Sequence, residues 1–499
     1  MSIGAVALLV TVITIAAFTL FGLLKIGQTT TNLEDYMVNR NQVGGGLALA
    51  TVVASAMGAW ILFSPPEAGS AFGGITAILG YCVGSAVAVL LFVFVGPRLR
   101  TIMPTGHSLN EYVSYRFGGP MYWLTAVVMV FYMFVYLAAE LTAIAKVLEL
   151  IADIPLLITA LAVMVAVFIY TTYGGLRVTI LTDGLQFLVI LPLLLICFVA
   201  MMMALGGFSE AFAPLVRDRP DLLSLTNVGG FRFGLTLIIA IVAAELFNQG
   251  NWQRVYACRT NAVVRQSFLG SAFLILPMVF IAGLLGLVAV QFGFEGDTAF
   301  FGVLQSLNPP GWLIISVLVL ALALVMSSLD TLLNGITSVF TIDLLRLMPS
   351  QSNVLKLSRL LTVLVGIPAV AIAAQGYSVL YLFFVADLIC AALLFPLIFS
   401  LYNRRQTATN ALWSSIVGIA AGLLFFPKAD FTPLFPVPGA ADLLHSFGAA
   451  LIVSTVMTLL WNWIVSGKSN DAYSGFDYSI LETVQSYSSE TVQQKVSAK

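Results

Sequence analysis

An all-α integral membrane protein is what this sequence predicts, on three observations. Mean hydropathy is +1.01. Hydrophobic residues fill 60% of the 499 positions and charged ones only 9%, which excludes an ordinary soluble protein. Apolar runs of about 20 residues, the length a helix needs to cross a bilayer core at about 1.5 Å per residue, recur about 13 times.

In chain order the first run, 3–25, lacks a small-residue cleavage site beside it and is read as a retained helix, not a signal peptide. Segment 46–67 is interrupted by Gly58, Pro65 and Pro66. Segments 70–97, 121–149, 154–172 and 180–206 follow, then 232–248 and 266–292. Segment 311–345 is longer than a bilayer is thick, so it tilts or runs on into the cytosol. Segments 356–375, 377–402, 409–427 and 443–466 complete the set. The loops between them are too short for an added soluble domain. Residues 1–466 therefore form one membrane domain, and 467–499, rich in Ser, Gln and Val, reads as a flexible cytoplasmic tail.

Basic residues set the orientation. With the N-terminus outside, only Lys146, Arg217, Arg219, Arg232 and Lys428 of the 22 Lys and Arg fall outside, and the C-terminus is cytoplasmic. Net charge of −1 and the lack of a basic cluster point away from nucleic acid. The four cysteines form no C-x-x-C pair, and the two histidines, His107 and His445, are too few for a zinc site.

Residues 321–343, ALALVMSSLDTLLNGITSVFTID, carry the most chemistry. An aspartate at a helix centre costs roughly 2.5–3.5 kcal/mol on insertion scales, so Asp330 turns from lipid. Ser327, Asp330 and Thr331 stand at i, i+3 and i+4 on one face, with Ser328 beside them. Oxygens converging in a dry place suit a small hard cation; the alternative is hydroxyls bonded to their own helix and Asp330 bonded to a neighbour. Thr331, Asn334, Ser338 and Thr341 continue the stripe, either as a wetted exit route or as a polar helix seam. Glu67, Glu140, Asp183, Glu245 and Asp387 also lie within or beside apolar segments. Asp183 reads as an ion ligand, Glu140 and Glu245 as substrate-facing or as protonated and bonded to a backbone carbonyl, and Glu67 and Asp387 as helix-end or cavity-rim residues. Too few basic residues lie deep enough to pair with all of these acids.

Around residue 250 the run AAELFNQGNWQR weakens its helix through Gly250 and the amides of Asn248, Gln249 and Asn251. This second break lies five segments after the one in 46–67. Two broken helices so offset mark an inverted five-plus-five repeat, here about 46–206 and 232–402, with ion and substrate held near the midplane.

The chain resembles the sodium:solute symporter family on four stretches: Tyr170–Val178 (YTTYGGLRV), Asp183 and Gln186 in TDGLQ, Phe247–Arg254 (FNQGNWQR), and MSSLDTLLN. The resemblance implies a LeuT-like fold of ten core helices with one before and two after. It implies a sodium held by the carbonyls of Ala54, Met57 and Leu324 and the hydroxyls of Ser327 and Ser328. A second cation is implied at Asp183, Ser327, Asp330 and Thr331, with a proton on Asp330 as the alternative. Val178 replaces the small residue usual in the signature, and Ala56 stands where proline carriers have an acid. Ile275 and Ile61 replace the polar residues of sugar carriers, which argues against a sugar.

The function expected is sodium-coupled import of a small polar organic solute by alternating access, not enzymatic catalysis. An amino acid, a urea-like amide or a small cationic compound are the solute classes, with Trp60, Glu140, Glu245 and Asn248 lining the pocket. A solute receptor and a proton-coupled symporter remain the alternatives. The partners are the solute, sodium ions and the lipid of a plasma membrane, the inner one in a bacterium.

Overall fold

The computed structural model describes residues 3–26, 33–347, 351–468 and 475–484. Helices and short 3-10 turns account for all its regular structure apart from two isolated bridges. With no water to satisfy backbone groups in a bilayer, a spanning chain must close its hydrogen bonds within helices or a barrel, and this one does so within helices.

Ten helices are long and apolar enough to cross a membrane among the described residues. A further pair, Gly45–Ala56 and Ala59–Ala71, qualifies jointly and is bent by 56° at its break. The segments expected at 154–172 and 409–427 appear as the shorter apolar helices Leu156–Thr171 and Ala408–Leu423. Each expected segment thus has a helical counterpart. The first of these two short helices runs into Gly174–Ala204 through Gly175, whose φ of 59° is left-handed and suits glycine. A Cβ there would also lie 2.6 Å from the Tyr36 ring.

Loop residues start the helices as capping chemistry requires. Ser108, Thr260, Ser378 and Thr407 each accept the backbone N–H three residues on. The centre of the molecule is held by Gly119–Ala152, whose most apolar window is 78% buried, whereas Gly4–Lys25 and Val354–Ala373 bury only 28%. Phe94, Leu188, Phe273 and Trp463 are exposed, as side chains bathed in acyl chains would be. Small residues let backbones approach: a Cβ on Gly80 would lie 2.1 Å from the Gly234 Cα.

One expectation needs correcting. Of the tail expected to be flexible, residues 475–484 are held against the membrane domain. Phe476 N–H donates to the Arg404 carbonyl (2.8 Å), Tyr478 Oη to the Ser400 carbonyl (2.6 Å) and Thr105 Oγ1 to the Val484 carbonyl (2.5 Å). The guanidinium groups of Arg98 and Arg404 also lie over the Tyr478 ring. Composition alone suggested disorder because it does not register so few anchoring aromatics. Residues 485–499 lie outside the described residues.

Candidate functional site

The break after Ala56 is the starting point. Met57 leaves the helix at φ −98°, ψ 108°, and Gly58 is extended before the 3-10 turn Ala59–Leu62. Unwinding frees backbone donors that a neighbouring helix must meet. Glu140, fully buried in Gly119–Ala152, does so: Oε2 accepts Ala59 N–H at 2.8 Å and Oε1 accepts Trp60 N–H at 3.4 Å. Gly58 leaves room for that carboxylate, since a Cβ would lie 2.1 Å from Oε1.

The same unwinding frees the Met57 carbonyl. Ser328 Oγ, on the Gly311–Leu347 helix, lies 3.5 Å from it and 3.1 Å from the Leu324 carbonyl. Three of the five oxygens expected to hold a sodium therefore meet, one from the first broken helix and two from a helix some 270 residues later. Ala54 sits one turn before Met57 on the same helix. Ser327 faces elsewhere, donating to Asp183 Oδ1 at 2.6 Å. The oxygens that converge are uncharged and fully buried, which fits a weakly hydrated monovalent cation better than a divalent one.

The second cation site needs correction. Arg254, counted from sequence as cytosolic, is 1% exposed, and its Nη2 donates to Asp183 Oδ2 (2.7 Å) and to Thr331 Oγ1 (2.8 Å). Thr51 Oγ1 adds a 2.5 Å bond to the same carboxylate oxygen. The protein's own guanidinium thus stands between two of the four residues expected to bind a second ion. It is carried there by the buried helix Gln249–Ala257, which follows the break after Glu245. Asp330 lies alongside without a cation, accepting from Tyr170 Oη and Thr182 Oγ1 at 3.2 Å each. The stripe beyond it packs as a polar seam, with Asn334 Nδ2 bonded to Thr179 Oγ1.

Beside the break is a cavity walled by Trp60, Tyr81, Tyr132, Tyr136 and Phe383, with Glu245 and Asp387 as its acids. Trp60 and Glu245 line it as expected. Glu140 and Asn248 do not. Glu140 is committed to the break, while Asn248 caps Gln249–Ala257 through Oδ1 and donates to Glu245 Oε2 at 3.2 Å. Asn248 therefore positions Glu245, together with Asn251 (2.6 Å) and Tyr132 Oη (3.2 Å). Asp387, read as a rim residue, sits well inside the Val379–Tyr402 helix and lines the cavity. Its position within an unbroken apolar span was the signal available in the sequence. Glu67 accepts the Ser378 hydroxyl and stays outside the cavity.

Two broken helices, a buried set of neutral oxygens across one break and an aromatic cavity beside it are the features of a membrane carrier. Comparison with known proteins makes this specific. Residues 36–418 match the model of the sodium:solute symporter family, and the chain belongs to that family. It is 29% identical over 382 residues to the spermidine transporter DUR31 of Candida albicans, spanning 75% of this chain and 70% of that one. It is 24% identical to the high-affinity proline transporter PutP of Bacillus subtilis, over 85% of this chain and 93% of the relative. Among solved structures, a Na+-coupled sialic acid symporter in its substrate-bound outward-open state aligns with a TM-score of 0.76 at 18% identity. That alignment covers 92% of this chain and 98% of the other. The likeness shows a shared fold, the LeuT-like arrangement expected from the sequence.

Proposed function

We propose that the protein imports a small polar organic solute by coupling it to sodium entry. Sodium-coupled symport is the reading the family supports. The observation that carries it is the Met57 carbonyl set beside Ser328 Oγ and the Leu324 carbonyl. A cation bound by Met57, Leu324 and Ser328, with Ala54 and, once its hydroxyl leaves Asp183, Ser327 completing the shell, ties the first broken helix to the Gly311–Leu347 helix. A ligand shifts a conformational equilibrium only by its difference in affinity between the states. Sodium that contacts both elements therefore favours the state in which they meet, and its loss releases the pair. The cavity lies next to the same break at Met57 and Trp60, so solute and ion share one hinge. With the N-terminus outside, in a plasma membrane, each sodium that enters gains about 2.3 kcal/mol per 100 mV.

Glu245 and Trp60 face the solute, while Glu140 and Asn248 support the break and the Glu245 carboxylate. The relatives bear names for spermidine, proline and glucose transport, so family membership does not settle the solute. Proton coupling is the second reading. A relative from rice is named a urea–proton symporter, and Asp330 is a buried carboxylate bonded to hydroxyls alone.

The test is binding of radiolabelled sodium to the purified chain. Ser328→Ala removes one of about five oxygens, and the half-saturating sodium concentration should rise about tenfold, the effect of about 1.4 kcal/mol. Unchanged sodium binding in Ser328→Ala would remove the site assignment.

A further inference from the structure

We infer that the cavity beside the first break takes an organic amine, a protonated nitrogen without a carboxylate, and that Asp387 is its principal anchor. This rests on the symporter reading above and names its substrate class.

The charge of the lining comes first. Glu245 and Asp387 are the cavity's only ionisable acids, and no Lys, Arg or His joins them among the described residues. A substrate bearing a carboxylate would face two acids with nothing to offset the repulsion. The two acids also differ in how well they are satisfied. Glu245 accepts three hydrogen bonds, from Asn251, Asn248 and Tyr132. Asp387 is 3% exposed, and its Oδ1 is buried without a hydrogen-bond partner. A buried carboxyl oxygen left unpaired is costly, so Asp387, a residue of the cavity lining, is the acid of the two with hydrogen-bonding capacity left for a ligand's donor.

The walls supply the rest. Trp60 stacks on Tyr81 with centroids 5.4 Å apart, and Phe383 meets both Trp60 and Tyr136 edge to face. Such aromatic surfaces attract a cation through their quadrupoles and accept its methylene groups. Ser85 lines the same space, and its buried hydroxyl has no hydrogen-bond partner. A sugar would need many hydroxyl partners, and this lining is mostly aromatic and aliphatic.

The experiment is uptake into proteoliposomes holding the full chain, driven by an inward sodium gradient. Labelled putrescine, spermidine and choline are compared with proline and glucose. Saturable, sodium-dependent uptake of at least one amine is expected, with proline and glucose neither transported nor competing. Asp387→Asn should raise the amine's half-saturating concentration at least tenfold while sodium binding stays at the wild-type level. Asp387→Glu, which keeps the charge, should recover part of the loss. If Asp387→Asn does not yield folded protein, Asp387→Glu decides, since a changed ranking among the three amines is then required. Sodium-driven uptake of proline or glucose with no amine uptake would overturn the inference and leave the symporter reading standing. Absence of sodium binding by the wild-type chain would overturn that reading itself.

Discussion

Gly58 and Glu140 form a pair whose mutual dependence can be measured. The Glu140 carboxylate accepts two backbone donors at the break, at 2.8 Å from Ala59 and 3.4 Å from Trp60. Leaving a buried backbone donor without its acceptor costs about 1–3 kcal/mol, and the shorter bond carries most of that here. Glu140→Ala should therefore cost about 2 kcal/mol. Gly58→Ala puts a Cβ 2.1 Å from Oε1, which forces the carboxylate away and breaks the same bond at about the same cost. The backbone at Gly58, with φ −106°, accepts alanine without strain, so the damage is steric and runs through Glu140. Once Glu140 is gone the clash goes too, and the double variant should be no less stable than Glu140→Ala alone. A double-mutant cycle on purified protein, read as denaturant midpoints, should give a coupling of about 2 kcal/mol between the two sites. Additivity within about 0.5 kcal/mol would show that the carboxylate does not hold the break.

Two other groups give measurable consequences. Arg254→Leu leaves Asp183 buried without its cation and should destabilise the protein by about 3–5 kcal/mol. Asp183→Asn in the same chain should recover most of that loss in thermal unfolding, and a double variant as unstable as Arg254→Leu would argue against the pairing. His107, in the loop after Gly74–Ile102, bonds Glu111 through Nδ1 (3.0 Å) and Glu34 through Nε2 (2.8 Å). Burial lowers its affinity for a proton, but the two carboxylates outweigh burial and raise its pKa from 6.5 to about 9. A folded-state value above the unfolded one means that this stabilisation is complete below pH 6.5 and disappears as pH rises through about 9. It amounts to something on the order of 3 kcal/mol. The stability gap between wild type and His107→Gln should shrink over that range, and a gap constant with pH would refute the charged cluster.

Hydropathy made the helices legible because bilayer thickness imposes a length that few soluble segments reach. The first break was equally legible, since Gly58 and the Pro65–Pro66 pair interrupt an otherwise apolar run. Ser328 and Met57 followed from the family pattern, and the structure brings them together. What the sequence hid was three-dimensional. Arg254 follows a run of polar residues and counts as a loop cation until its short helix is seen to be buried with the guanidinium against Asp183. Glu140 looked like a substrate ligand because a lone acid in a span suggests one, and nothing in the linear chain shows the two amides it caps. Asp387 was undervalued for the opposite reason. Its aromatic neighbours Trp60, Tyr81 and Tyr136 come from distant helices, and only packing assembles them around one cavity.

The cluster at Asp183, Arg254 and Asp330 also constrains how charge moves through the protein. Two carboxylates and one guanidinium leave a single negative charge in a place with no exposure to solvent. Arg254 is tethered and bonded at Asp183, Thr331 and the Gly250 carbonyl, so it remains with the protein through any conformational cycle. Asp330 meets only hydroxyl groups. With Arg254 already bonded to Asp183, an ionised carboxylate there is costly, and a proton or a monovalent cation would offset that cost. Either would make Asp330, rather than Asp183, the acid able to take up a further positive charge, apart from the oxygens of Met57 and Ser328. The family pattern places the second ion on all four oxygen-bearing residues together. Arg254 divides them: it is bonded to Asp183 and Thr331, while Asp330 is bonded to hydroxyl groups.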